Sequence, residues 1–185
     1  MNATTASPAA NAAAPQAAGA PGERSEFISF AIGDEQYGVN IMAVREIKGW
    51  SVVTHLPNQP GYVRGVLNLR GVMVPIVDLR CRFGQGNTET TPMHVVIIVQ
   101  IGSRQVGLLA DRVLDIVSFE PSQVQPVPRI DSSTTRVHFL SGLATSGETL
   151  LALVDLPNLV GTEMDADEIE TAPDASEPAS SQQAA

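Results

Sequence analysis

We expect a mostly β fold built from small barrels, because three properties of the sequence agree on it. Between residues 25 and 161, short apolar runs are broken every few positions by Gly, Asn, Asp or Pro, which is typical of strands and turns. Aromatic residues are only 4% of a chain that is 43% apolar, so the core must rely on Val, Ile and Leu, a composition that favours strands. Residues 65–79 also align without a gap with residues 142–156, and residues 30–39 resemble 99–108. The chain therefore predicts one small β unit used twice.

The first unit begins with a strand over residues 27–32 and a returning strand over 36–39, joined by a Gly-Asp turn. Apolar residues then recur at three-residue spacing over 41–47, behind a suitable N-cap at Asn40, which predicts a short helix or helical turn. The rest of the unit predicts one more strand and then a hairpin, over residues 52–55, 66–69 and 72–77.

The second unit repeats this rhythm, with a Pro-rich connection over residues 120–137. Asp78 and Asp155 occupy matching positions of the two units, each directly before a short helical piece, so we expect them to be N-caps. The predicted strands of this unit cover residues 95–101, 105–110, 113–119, 139–144 and 150–154.

The two ends of the chain differ from its middle in composition. Residues 1–24 are rich in Ala and Pro with nothing large and apolar to pack, and residues 162–185 carry seven acids and no Lys or Arg. We expect both arms to be disordered. The middle is close to neutral, which excludes a basic nucleic-acid footprint. No apolar run is long enough for a transmembrane helix and the start does not resemble a secretory signal, so we expect a cytoplasmic protein without membrane insertion.

No pattern of catalytic or metal-binding residues stands out. The three histidines, His55, His94 and His138, share no metal-like spacing with one another or with Cys81. The sequence contains neither a phosphate-binding P-loop nor a hydrolase nucleophile elbow. We therefore expect a protein that is not an enzyme and that uses no metal and no cofactor.

Several segments of both units resemble the CheW-type coupling proteins of bacterial chemotaxis. The most specific is Arg-Gly-Val-Leu-Asn-Leu-Arg-Gly-Val-Met-Val-Pro-Ile-Val-Asp-Leu-Arg at residues 64–80. The others are Gly-Asp-Glu-Gln-Tyr-Gly-Val at 33–39, Val-Arg-Glu-Ile at 44–47, Gly-Leu-Leu-Ala-Asp-Arg-Val at 107–113 and Leu-Ser-Gly-Leu at 140–143.

This resemblance implies two packed five-stranded SH3-like β-barrels with short helical segments and no enzymatic activity. The barrels would divide residues 25–161 into subdomains of roughly 25–92 and 93–161, with an exchange of strands between them allowed. The resemblance also implies an adaptor that couples chemoreceptors (methyl-accepting chemotaxis proteins) to the chemotaxis histidine kinase, recruited to membrane-associated receptor arrays.

Two binding surfaces follow from the resemblance. The helical hairpin tip of the receptor would lie in a groove between the barrels, where valines supply buried area and charged residues set the register. The residues implied for this groove are Ile41, Val44, Glu46, Ile47, Arg70, Val95, Val106, Gly107 and Val113. The regulatory domain of the kinase, which has the same fold, would meet the protein barrel to barrel near Trp50, Val52, Arg64 and Gly65.

Two other functions stay open on sequence alone. A homologous scaffold could serve a different receptor–kinase pathway, such as surface motility or gene control, and co-purification of a receptor and a kinase would separate these pathways. A small β-barrel that binds a metabolite would need convergent polar residues in a closed pocket, and the sequence supplies no such set.

Overall fold

The computed structural model describes residues 24–128 and 138–161 of the 185-residue chain. The predicted disordered arms, residues 1–24 and 162–185, therefore lie outside the described residues apart from Arg24. The strands are β1 Ser25–Ile32, β2 Glu35–Asn40, β3 Val44–Gly49, β4 Val63–Leu69, β5 Val72–Asp78, β6 Val95–Ile101, β7 Arg104–Ala110, β8 Arg112–Phe119, β9 Leu140–Ser146 and β10 Thr149–Val154. The α-helices are α1 Leu79–Arg82 and α2 Leu156–Val160.

These strands form two five-stranded sheets, with the orders β8-β1-β2-β10-β9 and β3-β6-β7-β5-β4. Each sheet curls into a small barrel because a connecting segment pairs with the far edge strand. Thr54 follows β3 and pairs with Val66 of β4, while Gln125 follows β8 and pairs with Leu143 of β9. The predicted mostly β fold of two packed five-stranded barrels is confirmed.

Neither barrel is built from a continuous stretch of chain. β3 follows β2 in sequence but pairs with β6 in the other sheet, and β8 follows β7 but pairs with β1. Each sheet thus combines a hairpin from one half of the chain with three strands from the other half. Residues 25–92 and 93–161 therefore exchange strands reciprocally.

The two barrels have the same pairing register, as the repeated blocks of sequence require. Each contains one parallel strand pair, in which Gly38 of β2 is opposite Leu153 of β10 and Gly107 of β7 is opposite Ile76 of β5. Both glycines occupy matching positions of the repeat. A side chain at Gly107 would overlap that of Ile76, so the missing Cβ lets the parallel strands pack closely.

The largest apolar core lies between the two sheets and draws on both halves of the chain. It includes Phe30 of β1, Ile97 of β6, Leu108 of β7 and Leu159 of α2, all with no exposed surface. Smaller apolar clusters fill each barrel on its outer side. Burial of the central core is therefore the main apolar contribution to stability, and it requires both halves at once.

Two local predictions of the first unit hold only in part. The short helix or helical turn predicted over residues 41–47 is present as a single 3₁₀ turn at Ile41–Ala43, and β3 begins at Val44. Pairing with β6 satisfies the backbone of this segment, and its side chains alternate between half-buried and exposed positions. The strand predicted over residues 52–55 contributes only the pairing of Thr54 with Val66.

The capping role predicted for the two matching aspartates is confirmed. The side chain of Asp78 accepts a hydrogen bond from the Cys81 amide at 3.2 Å, and that of Asp155 accepts one from the Asn158 amide at 3.1 Å. Each bond satisfies an amide that would otherwise lack a partner in the first turn of its helix. Asn40 caps the 3₁₀ turn in the same way, through the Met42 amide.

Barrel closure generates the first prediction. Gly65 has φ +136°, and a Cβ there would collide with the carbonyl oxygen of Thr54 in the closing segment. We expect Gly65→Ala to lower the free energy of unfolding by about 2–4 kcal/mol, through backbone strain and overpacking together. Urea denaturation measures this loss. Gly49→Ala is the matched control, because a Cβ at Gly49 meets nothing within 4 Å. Equal effects of the two substitutions would contradict this explanation of closure.

Candidate partner-binding surface

Arg70 is at the tip of the β4–β5 hairpin in a backbone conformation that suits glycine. Its φ is +53°, in the left-handed region, and the following Gly71 has φ +92°. The Asn68 side chain holds the turn by accepting a hydrogen bond from the Gly71 amide at 2.8 Å. Glycine fills the matching position in the other barrel, at Gly147 with φ +62°. The arginine is therefore kept at a conformational cost that the repeat shows to be avoidable.

The Arg70 guanidinium is directed along the surface toward β3. Its Nη2 lies 3.6 Å from Oε2 of Glu46, with 87% of the arginine side chain and 39% of the glutamate side chain exposed. Such a pair contributes little to stability, so its charges stay available to a partner. A shallow cavity of about 220 Å³ lies beside the pair and includes Val72 and Gln105 in its lining.

Exposed apolar side chains occur on the strand that contains Glu46 and on the strand that follows Arg70. Ile47 is 41% exposed on β3, while Val72 and Met73 are 50% and 62% exposed on β5. The sequence prediction included Ile47 but missed the other two residues, although they adjoin the motif that contains Arg70. Apolar area beside two exposed charges is the composition expected of a protein-binding surface.

Four other predicted groove residues lie at the rim of the central core. Ile41, Val44, Val95 and Val113 are all partly buried and pack against the core between the sheets. Val44 and Val113 are equivalent, because they pair with the matching residues Val99 and Phe30 and each strand has a bulge just after this position. Their exposed portions can add apolar area to a contact, while their buried portions belong to the fold.

Val106 and Gly107 are buried and offer a partner almost no surface, so the prediction is corrected for them, although Val106 borders a cavity of about 410 Å³. Val106 is 2% exposed within the central core. Gly107 is buried on β7, and a Cβ there would point at the side chains of Ile76, Val96 and Ile98. The close approach that Gly107 allows is therefore an internal one, between strands of one barrel.

The residues predicted for kinase binding also have different surroundings. Gly65 is buried against Thr54 and serves barrel closure. Arg64 donates a hydrogen bond to the Thr88 carbonyl at 3.1 Å and lies 3.8 Å from the fully buried carboxylate of Asp78. Trp50 packs on the core of its barrel, whereas Val52 is 90% exposed. Of these four, Val52 alone offers a mainly exposed side chain.

Asp111, which precedes β8, joins parts of both halves of the chain. Its Oδ2 accepts hydrogen bonds from the Gly33 amide at 2.7 Å and from Arg80 at 2.6 Å, and its Oδ1 lies 3.5 Å from Nε2 of His94. Burial acts to raise the pKa of Asp111, but the hydrogen bonds from Gly33 and Arg80 outweigh it, and the pKa lies below its ordinary value. Asp111 thus fixes the start of the strand that contains Val113.

Comparison with known proteins identifies the family of this chain. The CheW-like domain family matches residues 26–164, about three quarters of the chain. The chain belongs to the CheW-like family. Chemotaxis protein CheW of Rhizobium meliloti is 45% identical over 138 residues, covering 75% of this chain and 88% of the relative. Chemotaxis protein CheW of Klebsiella aerogenes is 41% identical over 138 residues, covering 75% and 82%.

A solved structure supports the same assignment. The scaffolding protein TtCheW from Thermoanaerobacter tengcongensis superposes with a TM-score of 0.68 at 28% identity, covering 74% of this chain and 88% of that chain. The resemblance inferred from the motifs is therefore confirmed, and this CheW-family chain belongs to a group of non-enzymatic scaffold proteins. Most of the acidic segment over residues 162–185 lies beyond the family match, which ends at residue 164.

Two structural observations bear on other functions. Within residues 24–128 and 138–161, no three His, Cys, Asp or Glu side chains come close enough together to bind a metal ion. In the same part of the chain, no helix has the length and apolar character needed to cross a membrane.

The Asp111 network generates a pH prediction. A carboxylate whose pKa is lowered by folding contributes stability above its unfolded pKa, and this stability is lost as the pH falls through the folded value. We expect Asp111→Asn to reduce the free energy of unfolding by about 1–3 kcal/mol at neutral pH, through weakened charged hydrogen bonds. The difference in unfolding free energy between the native protein and Asp111→Asn should become smaller as the pH falls below 3.8, the ordinary pKa of this group.

Urea titrations at several pH values measure this difference. Asp34→Asn is the control, since Asp34 is exposed in the β1–β2 turn. A difference that stays constant from neutral to acidic pH would show that the network does not depend on the Asp111 charge.

Proposed function

We propose that this CheW-family protein is a cytoplasmic adaptor that couples chemoreceptors to the chemotaxis histidine kinase. The observation that carries the proposal is the strained, exposed Arg70, which the fold does not require because Gly147 fills the matching turn. A conformational cost at an exposed charged residue is typical of a functional site. The family membership supports a scaffolding role for the whole described unit.

The receptor contact centres on Arg70, Glu46 and Ile47. A receptor hairpin presents helices, and a helix can lay an apolar face against Ile47 and Val72 while its carboxylates or carbonyl oxygens accept from Arg70. The planar guanidinium favours a fixed orientation of the acceptor, so the ion pair sets the register of the docked helix. The exposed edges of Val44 and Val113 extend the apolar area toward the seam between the barrels.

The kinase contact involves a different part of the surface. The regulatory domain of the kinase has the same fold, so a barrel-to-barrel contact is the natural geometry. Val52 and Leu56, 90% and 43% exposed in the segment that closes one barrel, are the apolar residues we assign to it. Arg64 is excluded from this contact, because its side chain is engaged with the Thr88 carbonyl and lies next to the buried Asp78. The protein then reaches membrane-associated arrays through its receptor.

The sharpest test of this proposal is Arg70→Gly. Glycine relieves the left-handed strain but makes the unfolded chain more flexible, so we expect stability to stay within about 0.5 kcal/mol of the native protein. Receptor-controlled kinase activity in a reconstituted mixture should fall strongly, because the guanidinium is lost. Arg70→Lys should restore it only in part, since a point charge cannot replace a planar donor. Full kinase control by the glycine variant would refute the role.

The apolar part of the surface has its own test and a matched control in the other barrel. We expect Ile47→Asp to weaken binding of the receptor hairpin by about 1–3 kcal/mol, the range of a significant interface anchor. Ile116 occupies the equivalent place on β8 and is 55% exposed, so Ile116→Asp introduces the same change outside the assigned contact. Titration of each folded variant with the hairpin measures the difference. Equal losses, or none, would disprove this placement of the receptor.

A further inference from the structure

The surface beside Arg70 continues into a larger groove that has a marked charge. A cavity of about 410 Å³ adjoins the one of about 220 Å³, and both include Val72 and Gln105 in their linings. Three exposed arginines line the combined surface against the single carboxylate of Glu46. We call it the arginine groove, and its arginines are Arg45, Arg70 and Arg104. Its floor is apolar and includes Met73 and Pro75.

The other barrel has an equivalent groove with the opposite charge. This cavity of about 510 Å³ is lined by Asp34, Glu35 and Glu148, with Leu150 and Ala152 on its floor. Glu35 occupies the position that Arg104 has in the first groove, and Ala152 the position of Pro75. We call it the acidic groove. The fold thus presents a groove at the same position of each barrel, one positive and one negative.

At the acidic groove, the segment that follows helix α1 contacts a residue of the groove lining. Phe83, at the end of α1, lines this groove, and Gly84 follows with φ +71°. Gln85 then donates a hydrogen bond from Nε2 to Oε2 of Glu35 at 2.5 Å. The segment after the helix is therefore directed at the residue that gives the groove its charge.

At the arginine groove, the chain leaves helix α2 in the same way as it leaves α1 at the acidic groove. Val160, at the end of α2, lines this groove, and Gly161 follows with φ +71°, like Gly84. In the repeat, the position equivalent to Gln85 is Thr162, and the position equivalent to Glu35 is Arg104. The sequence from Thr162 onward carries five acids within nine residues, namely Glu163, Asp165, Asp167, Glu168 and Glu170.

We propose that residues 162–170 fold back over the arginine groove and act as an intramolecular ligand of its guanidinium groups. The acidic groove cannot take this segment, because its three carboxylates would repel it. The attachment at Gly161 keeps the local concentration of the acidic segment at the groove high, so weak ionic contacts are sufficient. This inference does not rest on the proposed function. Since Arg70 belongs to the groove, the segment would also compete with a partner's carboxylates, and that consequence alone rests on the proposed function.

The test uses the full-length protein without any partner. Cys81→Ser removes the native thiol, and a nitroxide label is attached at Thr171→Cys, just beyond the acidic stretch. We expect the backbone amides of Val72 and Gln105 to lose most of their NMR intensity at low salt, while the equivalent Thr149 and Gln36 in the acidic groove keep theirs. At 1 M salt, where screening shortens to about 3 Å, the loss should disappear.

Matched variants distinguish docking of the segment from mere closeness of the label to the groove, which its attachment at Gly161 could cause. In the first variant, the acidic segment is made neutral and keeps the same label. Without the charges, the loss of NMR intensity at Val72 and Gln105 should disappear. The substitutions are Glu163→Gln, Asp165→Asn, Asp167→Asn, Glu168→Gln and Glu170→Gln. Arg104→Glu should abolish the loss too, whereas Arg112→Glu, at an exposed arginine of β8, should leave it unchanged. An equal loss with the neutral segment, an equal loss in both grooves, or no effect of Arg104→Glu would overturn the proposal.

Discussion

The rest of the structure depends on the reciprocal exchange of β3 and β8. Because each of these strands leaves its own hairpin and pairs with the hairpin of the other half, neither barrel can close alone. The main apolar core then forms between the sheets, where Phe30 and Leu108 come from opposite halves. The exchange also builds the candidate surface, since Arg45 and Arg70 come from the first half and Arg104 from the second. The candidate surface is therefore complete only when both halves of the chain have folded together.

Much of the fold could be predicted from sequence because its signals are local and are repeated. Asp78 and Asp155 are caps that act within three residues, and the matching blocks of sequence are enough to indicate two similar units. The helical turn predicted over residues 41–47 is correct only for Ile41–Ala43, and the strand that follows it could not be predicted by the same means. A bulge between Val44 and Glu46 adds one residue to β3, so Val44 and Ile47 pair with Val99 and Ile97, which share one face of β6. Their three-residue spacing therefore comes from a bulged strand and resembles that of a helix. Only pairing with β6, which is distant in sequence, decides whether this segment is a helix or a strand.

In the candidate site too, features set by nearby residues could be predicted, while features set by residues distant in sequence could not. Arg70 could be singled out because the two units differ at that turn, and the structure adds that its backbone is strained. Val106 and Gly107 were misplaced because an apolar strand residue does not reveal which face is buried. Arg64 looked like an exposed cation, yet its partners Thr88 and Asp78 come from a loop and a strand end that no motif links to it. Sequence thus indicated the turn and its charge, while the packing of strands decided which neighbours are accessible.

The divergence of the two barrels explains how a duplicated unit can serve as a scaffold with distinct contacts. The grooves lie at equivalent positions of the two barrels, because the parallel strand pairs and their glycines are equivalent. Their charge differs, because Arg104 in one groove stands where Glu35 does in the other and because carboxylates line the second groove. A charged ligand would be attracted by one groove and repelled by the other, which needs no change in the fold. The two grooves therefore differ through a few surface side chains on a framework that the repeat keeps constant.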